Sequence, residues 1–154
     1  MIKKIAIFII LLCAIMSSLF GCAETTHYLK NDQVKDLCNY IETNNNDVSK
    51  VNAFTSSSFQ FSILVTLKND ISHETREQIF FKIREYLISD NFLANAKEEA
   101  DTLSFRDYIV EFKSPSTKYR VSYTLSDSSD EKEMKNWHFV DFQSGKEEIK
   151  SYEK

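Results

Sequence analysis

The chain has 154 residues, with 19 Lys and Arg against 23 Asp and Glu and a net charge of −4 at pH 7. That length suits one domain with a real core, and an acidic balance without a basic stripe argues against nucleic acid or flat adsorption on an anionic lipid surface. Two glycines and three cysteines leave no glycine-rich phosphate cradle and no disulfide framework.

Lys3 and Lys4 precede an apolar run from Ile5 to Met16, and Ser17-Ser18 interrupts it before Leu19-Phe20-Gly21-Cys22. This is the layout of a secretory signal. The apolar stretch is shorter than the about 20 residues a helix needs to cross a bilayer. Leu19, Phe20, Gly21 and Cys22 resemble the lipobox of bacterial lipoprotein precursors: an aliphatic residue, a variable one, a small one and the cysteine. The resemblance implies that residues 1–21 are a signal peptide, that Cys22 accepts a diacylglyceryl group, and that cleavage falls between Gly21 and Cys22. It also implies attachment at the extracytoplasmic face of a cell membrane. Ala23 is not the Asp that favours inner-membrane retention, so the outer membrane is the expected site where an envelope has two. Phe20 departs from the small residue favoured at its position. Gly21-Cys22-Ala23 also offers ordinary signal peptidase a small-x-small cut that would release a soluble protein.

Residues 22–27 then form a short lipidated tether. Val34, Leu37, Cys38 and Ile41 recur at helical spacing between polar residues, and Asn44-Asn45-Asn46-Asp47 ends that helix. Val48 to Phe54 reads as a strand. Phe59, Phe61, Ile63, Val65 and Leu67 alternate along the clearest strand of the chain, so the two should pair as a hairpin. Ser72 is placed to cap a helix whose buried stripe is Ile79, Phe80, Ile83, Tyr86 and Leu87. A weaker helical stretch, Phe92 to Ala100, follows a break near Asp90-Asn91. Tyr108, Val110 and Phe112, then Tyr119, Val121, Tyr123 and Leu125, alternate along two strands on either side of Pro115. After an acidic loop, Trp137 and Phe139 mark a last strand ending near Gly145, and residues 147–154 read as a charged tail.

The expected architecture is α+β: a single curved antiparallel sheet of about five strands on two or three helices, in the order αββαβββ, forming one domain over residues 28–146. In element order alone this resembles the cystatin-like and NTF2-like small domains of some bacterial envelope lipoproteins.

No residue set carries chemistry. His73-Glu74-Thr75-Arg76-Glu77 begins like the two-histidine zinc helix but has Glu77 in place of the second imidazole, so no metal and no cofactor is expected. Cys38 lies on an apolar stripe, not in the exposed positive setting of a reactive thiol. The carboxylate pairs and the loop Asp127 to Glu133 lack the apolar surroundings of an acid catalyst and the spacing of an EF-hand. What remains is the sheet face opposite the core, where Gln60, Ile109, Arg120, Thr124, His138 and Phe142 mix polar and apolar groups as a candidate binding face. The expected function is non-catalytic binding of an envelope protein or small ligand by a lipid-anchored domain. The alternatives are an envelope hydrolase, which needs Arg120, His138 and an acid in one cleft, and an immunity-type or structural lipoprotein.

Overall fold

The computed structural model describes residues 26–56, 60–102, 105–115, 120–125 and 134–152. Among them are seven strands and three helices in the order βαββααββββ. They are β1 (Thr26–Tyr28), α1 (Asp32–Asn44), β2 (Val48–Ser56), β3 (Gln60–Leu67), α2 (His73–Leu87), α3 (Asp90–Glu99), β4 (Asp107–Lys113), β5 (Arg120–Leu125), β6 (Asn136–Asp141) and β7 (Lys146–Ser151). The strands form one sheet in sequence order, β1 to β7.

The α+β class holds, but the sheet has seven strands rather than about five, and the element order differs from the one expected and from the likeness drawn on it. The two extra strands lie at the edges. Thr26 and His27, expected in the tether, pair with Ser56 and Thr55. Residues 147–151, expected as a charged tail, pair with β6 from Val140↔Glu147 to Asn136↔Ser151. Both are edge strands too polar to show a buried face, so alternation could not reveal them.

The sheet is also not wholly antiparallel. β3 and β4 run parallel, with Phe61↔Tyr108 and Val65↔Phe112 among the partners, because α2 and α3 carry the chain back to the end of the sheet where β3 began. A crossover of two helices permits this, whereas a tight turn does not. The β2–β3 hairpin forms as expected, in register from Val51↔Val65 to Ser56↔Gln60. Phe59 lies outside the described residues.

Side chains decide the layering. Ala53, Phe61, Ile63, Val65, Tyr108, Val110, Phe112, Val121, Tyr123, Trp137 and Phe139 point to one face and are buried in a single cluster with Val34, Leu37 and Ile41 of α1, Ile79, Phe80, Ile83 and Leu87 of α2, and Phe92 and Ala96 of α3. All three helices therefore cover the same face. Phe80 stacks on Tyr123 with ring centroids 4.1 Å apart and meets Trp137 edge-on at 5.1 Å, geometries that add to area burial. Phe61 meets Phe92 edge-on at 6.0 Å and Phe105 at a tilt at 5.4 Å.

Local chemistry sets the helix starts. Ser72 Oγ accepts the Thr75 backbone N–H at 3.2 Å, as its spacing predicts. Asn31 caps α1, accepting from the Val34 N–H at 2.9 Å. The Asn31 backbone N–H and Nδ2 both donate to Glu99 Oε2, at 2.9 and 3.0 Å, which ties the start of α1 to the end of α3.

Candidate functional site

With the helices on one side, the opposite face of the sheet is uncovered among the described residues. Strand register arranges it in rows across the sheet. One row runs Tyr28, Phe54, Ser62, Ile109, Thr124, His138 and Ile149. The next runs Asn52, Leu64, Glu111, Ser122, Val140 and Glu147. A third runs Lys50, Thr66, Lys113 and Arg120.

The six residues expected on this face all lie there, spread along it. Ile109, Thr124 and His138 are neighbours in the first row. Gln60 is at one end of β3, where its Nε2 donates to Ser62 Oγ at 2.9 Å. Arg120 and Phe142 meet at the other end: the guanidinium stands 4.6 Å from the Phe142 ring centroid, and the Phe142 backbone N–H donates to the Arg120 carbonyl at 3.0 Å. Arg120 also grips Glu111 with two bonds, Nε to Oε1 at 3.0 Å and Nη2 to Oε2 at 3.1 Å.

Tyr28, Phe54 and Ile149 were not legible as members of the face, since two of them ride on the unexpected edge strands. Phe142 is 52% exposed, Tyr28 54% and Ile149 71%, so large apolar groups meet water at both flanks and one end. The Tyr28 and Phe54 rings lie 5.9 Å apart.

Arg120 and His138 are not brought together. His138 pairs with Thr124, and the four residues from Thr124 back to Arg120 span about 13 Å of strand. Each also has its own carboxylate: Glu111 for Arg120, and Glu147 at 3.6 Å for His138 Nε2. The one cleft that would join Arg120, His138 and an acid is therefore not formed on this face.

Two titratable clusters lie on the helix side. Glu77, on α2, faces β5 and β7. Its Oε1 accepts from Tyr123 Oη at 2.5 Å and Lys150 Nζ at 3.0 Å, and its Oε2 from Tyr152 Oη at 3.0 Å. Burial works against the charged carboxylate, but the Tyr123 and Lys150 bonds, the Lys150 charge and the Tyr152 bond outweigh it and hold the carboxyl below its ordinary pKa. Burial, with Glu77 beside them, pushes both tyrosine hydroxyls up, so they stay protonated donors. His73, the other member of the suspected metal pair, has its Nδ1 against the Arg76 guanidinium. Among the described residues no three His, Cys, Asp or Glu side chains cluster as metal ligands. The network binds α2 to the β5–β7 end of the sheet.

The second cluster is at the β2 edge. Cys38 is half-buried and its thiol is pushed up to about 11, mostly by burial and further by the Glu42 charge, with the Ala53 backbone N–H pulling it partly back. Such a thiol is a poor nucleophile at neutral pH. One turn along α1, Glu42 Oε1 accepts the Val51 backbone N–H at 2.7 Å. Glu42 therefore occupies an edge amide of β2 where β1 has already ended, with Cys38 one turn away beside the Ala53 amide. Around them lies a groove of about 490 Å³ between α1 and β2. The loop Asp127 to Glu133 lies outside the described residues.

Compared with known protein families, curated proteins and solved structures, the chain finds no match.

Proposed function

We propose that the chain is a lipid-anchored cell-envelope protein, attached through Cys22 at the extracytoplasmic face of a membrane, that works by non-catalytic binding of a protein partner on the open face of its sheet. In an envelope with two membranes the outer one is the expected location.

The observation that carries the reading is the one-sided sheet. Helices cover one face, while the other combines Tyr28, Phe54, Leu64, Ile109, Val140, Phe142 and Ile149 with the hydrogen-bonding groups of Asn52, Gln60, Thr66 and Thr124. Seven strands about 4.8 Å apart and about 20 Å long present on the order of 600 Å². A standard protein interface takes about 800 Å² from each partner, so the face matches a protein surface in size and is far broader than a small molecule needs. An aromatic–Arg pair such as Phe142 with Arg120 is the kind of group that anchors such contacts.

A photo-crosslinking amino acid at position 109 of the full chain, activated in intact cells, tests this. One recurrent protein adduct is expected, and Phe142→Asp, which leaves the core untouched, should weaken it severalfold. No adduct, or equal yield from the Phe142 variant, would refute the assignment of this face.

A further inference from the structure

β2 spans nine residues and β1 three. Past the Leu29 N–H bond to the Ala53 carbonyl, the Val48–Asn52 half of β2 has no strand partner on its outer edge among the described residues, a stretch of about 17 Å at 3.4 Å per residue with a bulge between Val48 and Lys50 at its far end. It opens onto the groove between β2 and α1. The groove's floor is apolar, made by the buried Leu29, Val34, Val51 and Ala53. Lys30, Lys35 and Lys50 stand exposed around it. Lys35 pairs with Asp32 at 3.1 Å, but the ammonium groups of Lys30 and Lys50 have no ion-pair partner among the described residues. In a chain of net charge −4, two unpaired cations beside an open strand edge are a local reversal of sign. The one anion within the groove, Glu42, is itself bonded to the Val51 backbone N–H, the atom that an added strand's carbonyl would engage.

We propose that this groove takes an acidic, extended peptide segment of a partner protein, which continues the β1 row along the unpaired half of β2. Main-chain pairing gives such a segment its affinity, and alternate side chains give specificity. A residue opposite Val51 points its side chain to the floor formed by Leu29 and Val34, so it is small and apolar. Residues opposite Lys50 and Asn52 point to the outer face, where Lys50 selects a carboxylate. Glu42 holds the edge closed until the segment arrives, and its long, half-exposed side chain then gives up the Val51 N–H to the incoming carbonyl. The groove adjoins the outer face assigned above and shares its margin at Lys50 and Asn52, and either assignment stands without the other.

The test uses the full, lipidated chain in intact cells with a photo-crosslinking residue at the exposed position 39, and mass spectrometry to identify the crosslinked segment. The expected adduct is a segment of another protein bearing Asp or Glu. Its yield should fall about fivefold to tenfold in Lys30→Glu/Lys50→Glu, from two exposed charge pairs turned repulsive. It should rise in Glu42→Gln, which keeps an acceptor for the Val51 N–H and removes the competing charge. Melting temperatures equal to the parent's establish that these surface variants are folded. Adducts to lipid, to segments without acidic residues or to nothing overturn the proposal, as does a yield indifferent to the lysine reversals. Position 109 in the same cells reports the outer face independently.

Discussion

Glu77 makes three hydrogen bonds that arrive from β5, β7 and the residue after β7. Its folded pKa is lowered, so the stabilisation is fully present above the unfolded carboxylate value of about 4.3 and is lost as pH falls through the folded one. Urea denaturation should show Glu77→Gln less stable than the parent at pH 7 by about 1–3 kcal/mol, with the gap narrowing toward pH 3. A gap that does not change with pH would mean that charge plays no part in the network. Burial raises the Cys38 pKa instead of lowering it. With its thiol pushed up to about 11, the folded protein should resist iodoacetamide at pH 7.5 and react fully in denaturant. Rapid labelling of the native form would mean that the thiol is open to solvent.

At the scale of elements, the termini of helices and hairpins hold more than the propensities of their interiors. Asn31 caps α1 and reaches Glu99 of α3 at once, so Asn31→Ala should cost about 1–2 kcal/mol by thermal unfolding, near the top of the range for a lost cap. The β6–β7 hairpin turns through Gly145 at φ +69° with open space around the missing side chain. The penalty for Gly145→Ala is therefore backbone strain alone, about 1 kcal/mol. Arg84 is buried and donates to the Met134 carbonyl at 2.8 Å and the Tyr152 carbonyl at 3.2 Å. Trp137 Nε1 uses the same Met134 carbonyl at 2.7 Å, which holds Met134 at φ 44°. A charged side chain inside a helical stripe is invisible to periodicity. Arg76 and Arg84 are buried because the Tyr123 hydroxyl and the Phe139 ring receive Arg76, and the Met134 and Tyr152 carbonyls flanking β6 and β7 receive Arg84.

For the whole molecule, the starting point of β1 sets the geometry at the membrane under the lipoprotein reading. Cys22 is four residues from Thr26, a reach of at most about 14 Å. Thr26 pairs with Ser56, and Ser56 with Gln60, so the lipid lies at the Gln60 end of the sheet. Arg120 and Phe142 then stand at the opposite end of the sheet from the lipid, about 20 Å away along the strands. Radiolabelled palmitate should enter the parent and be lost in Cys22→Ala, which should also leave the membrane fraction. Equal labelling of the two would place the lipid elsewhere than Cys22.

Residue patterns were enough for the α+β class, the Ser72 cap, the buried stripes of α1 and α2, and the inward faces of β3, β4 and β5. Each is a local consequence of side-chain periodicity against a single core. The same alternation put Gln60, Ile109, Arg120, Thr124, His138 and Phe142 on the open face, since a residue beside an inward one must point outward. Only the tertiary structure decided that Thr26–Tyr28 and Lys146–Ser151 are strands, that β3 and β4 are parallel neighbours, and that α1 and β2 frame a groove rimmed by Lys30, Lys35 and Lys50. Edge strands are held by backbone bonds to a neighbour rather than by their own apolar side chains, and pairings across a helical crossover join residues too far apart in the chain for any local pattern to record.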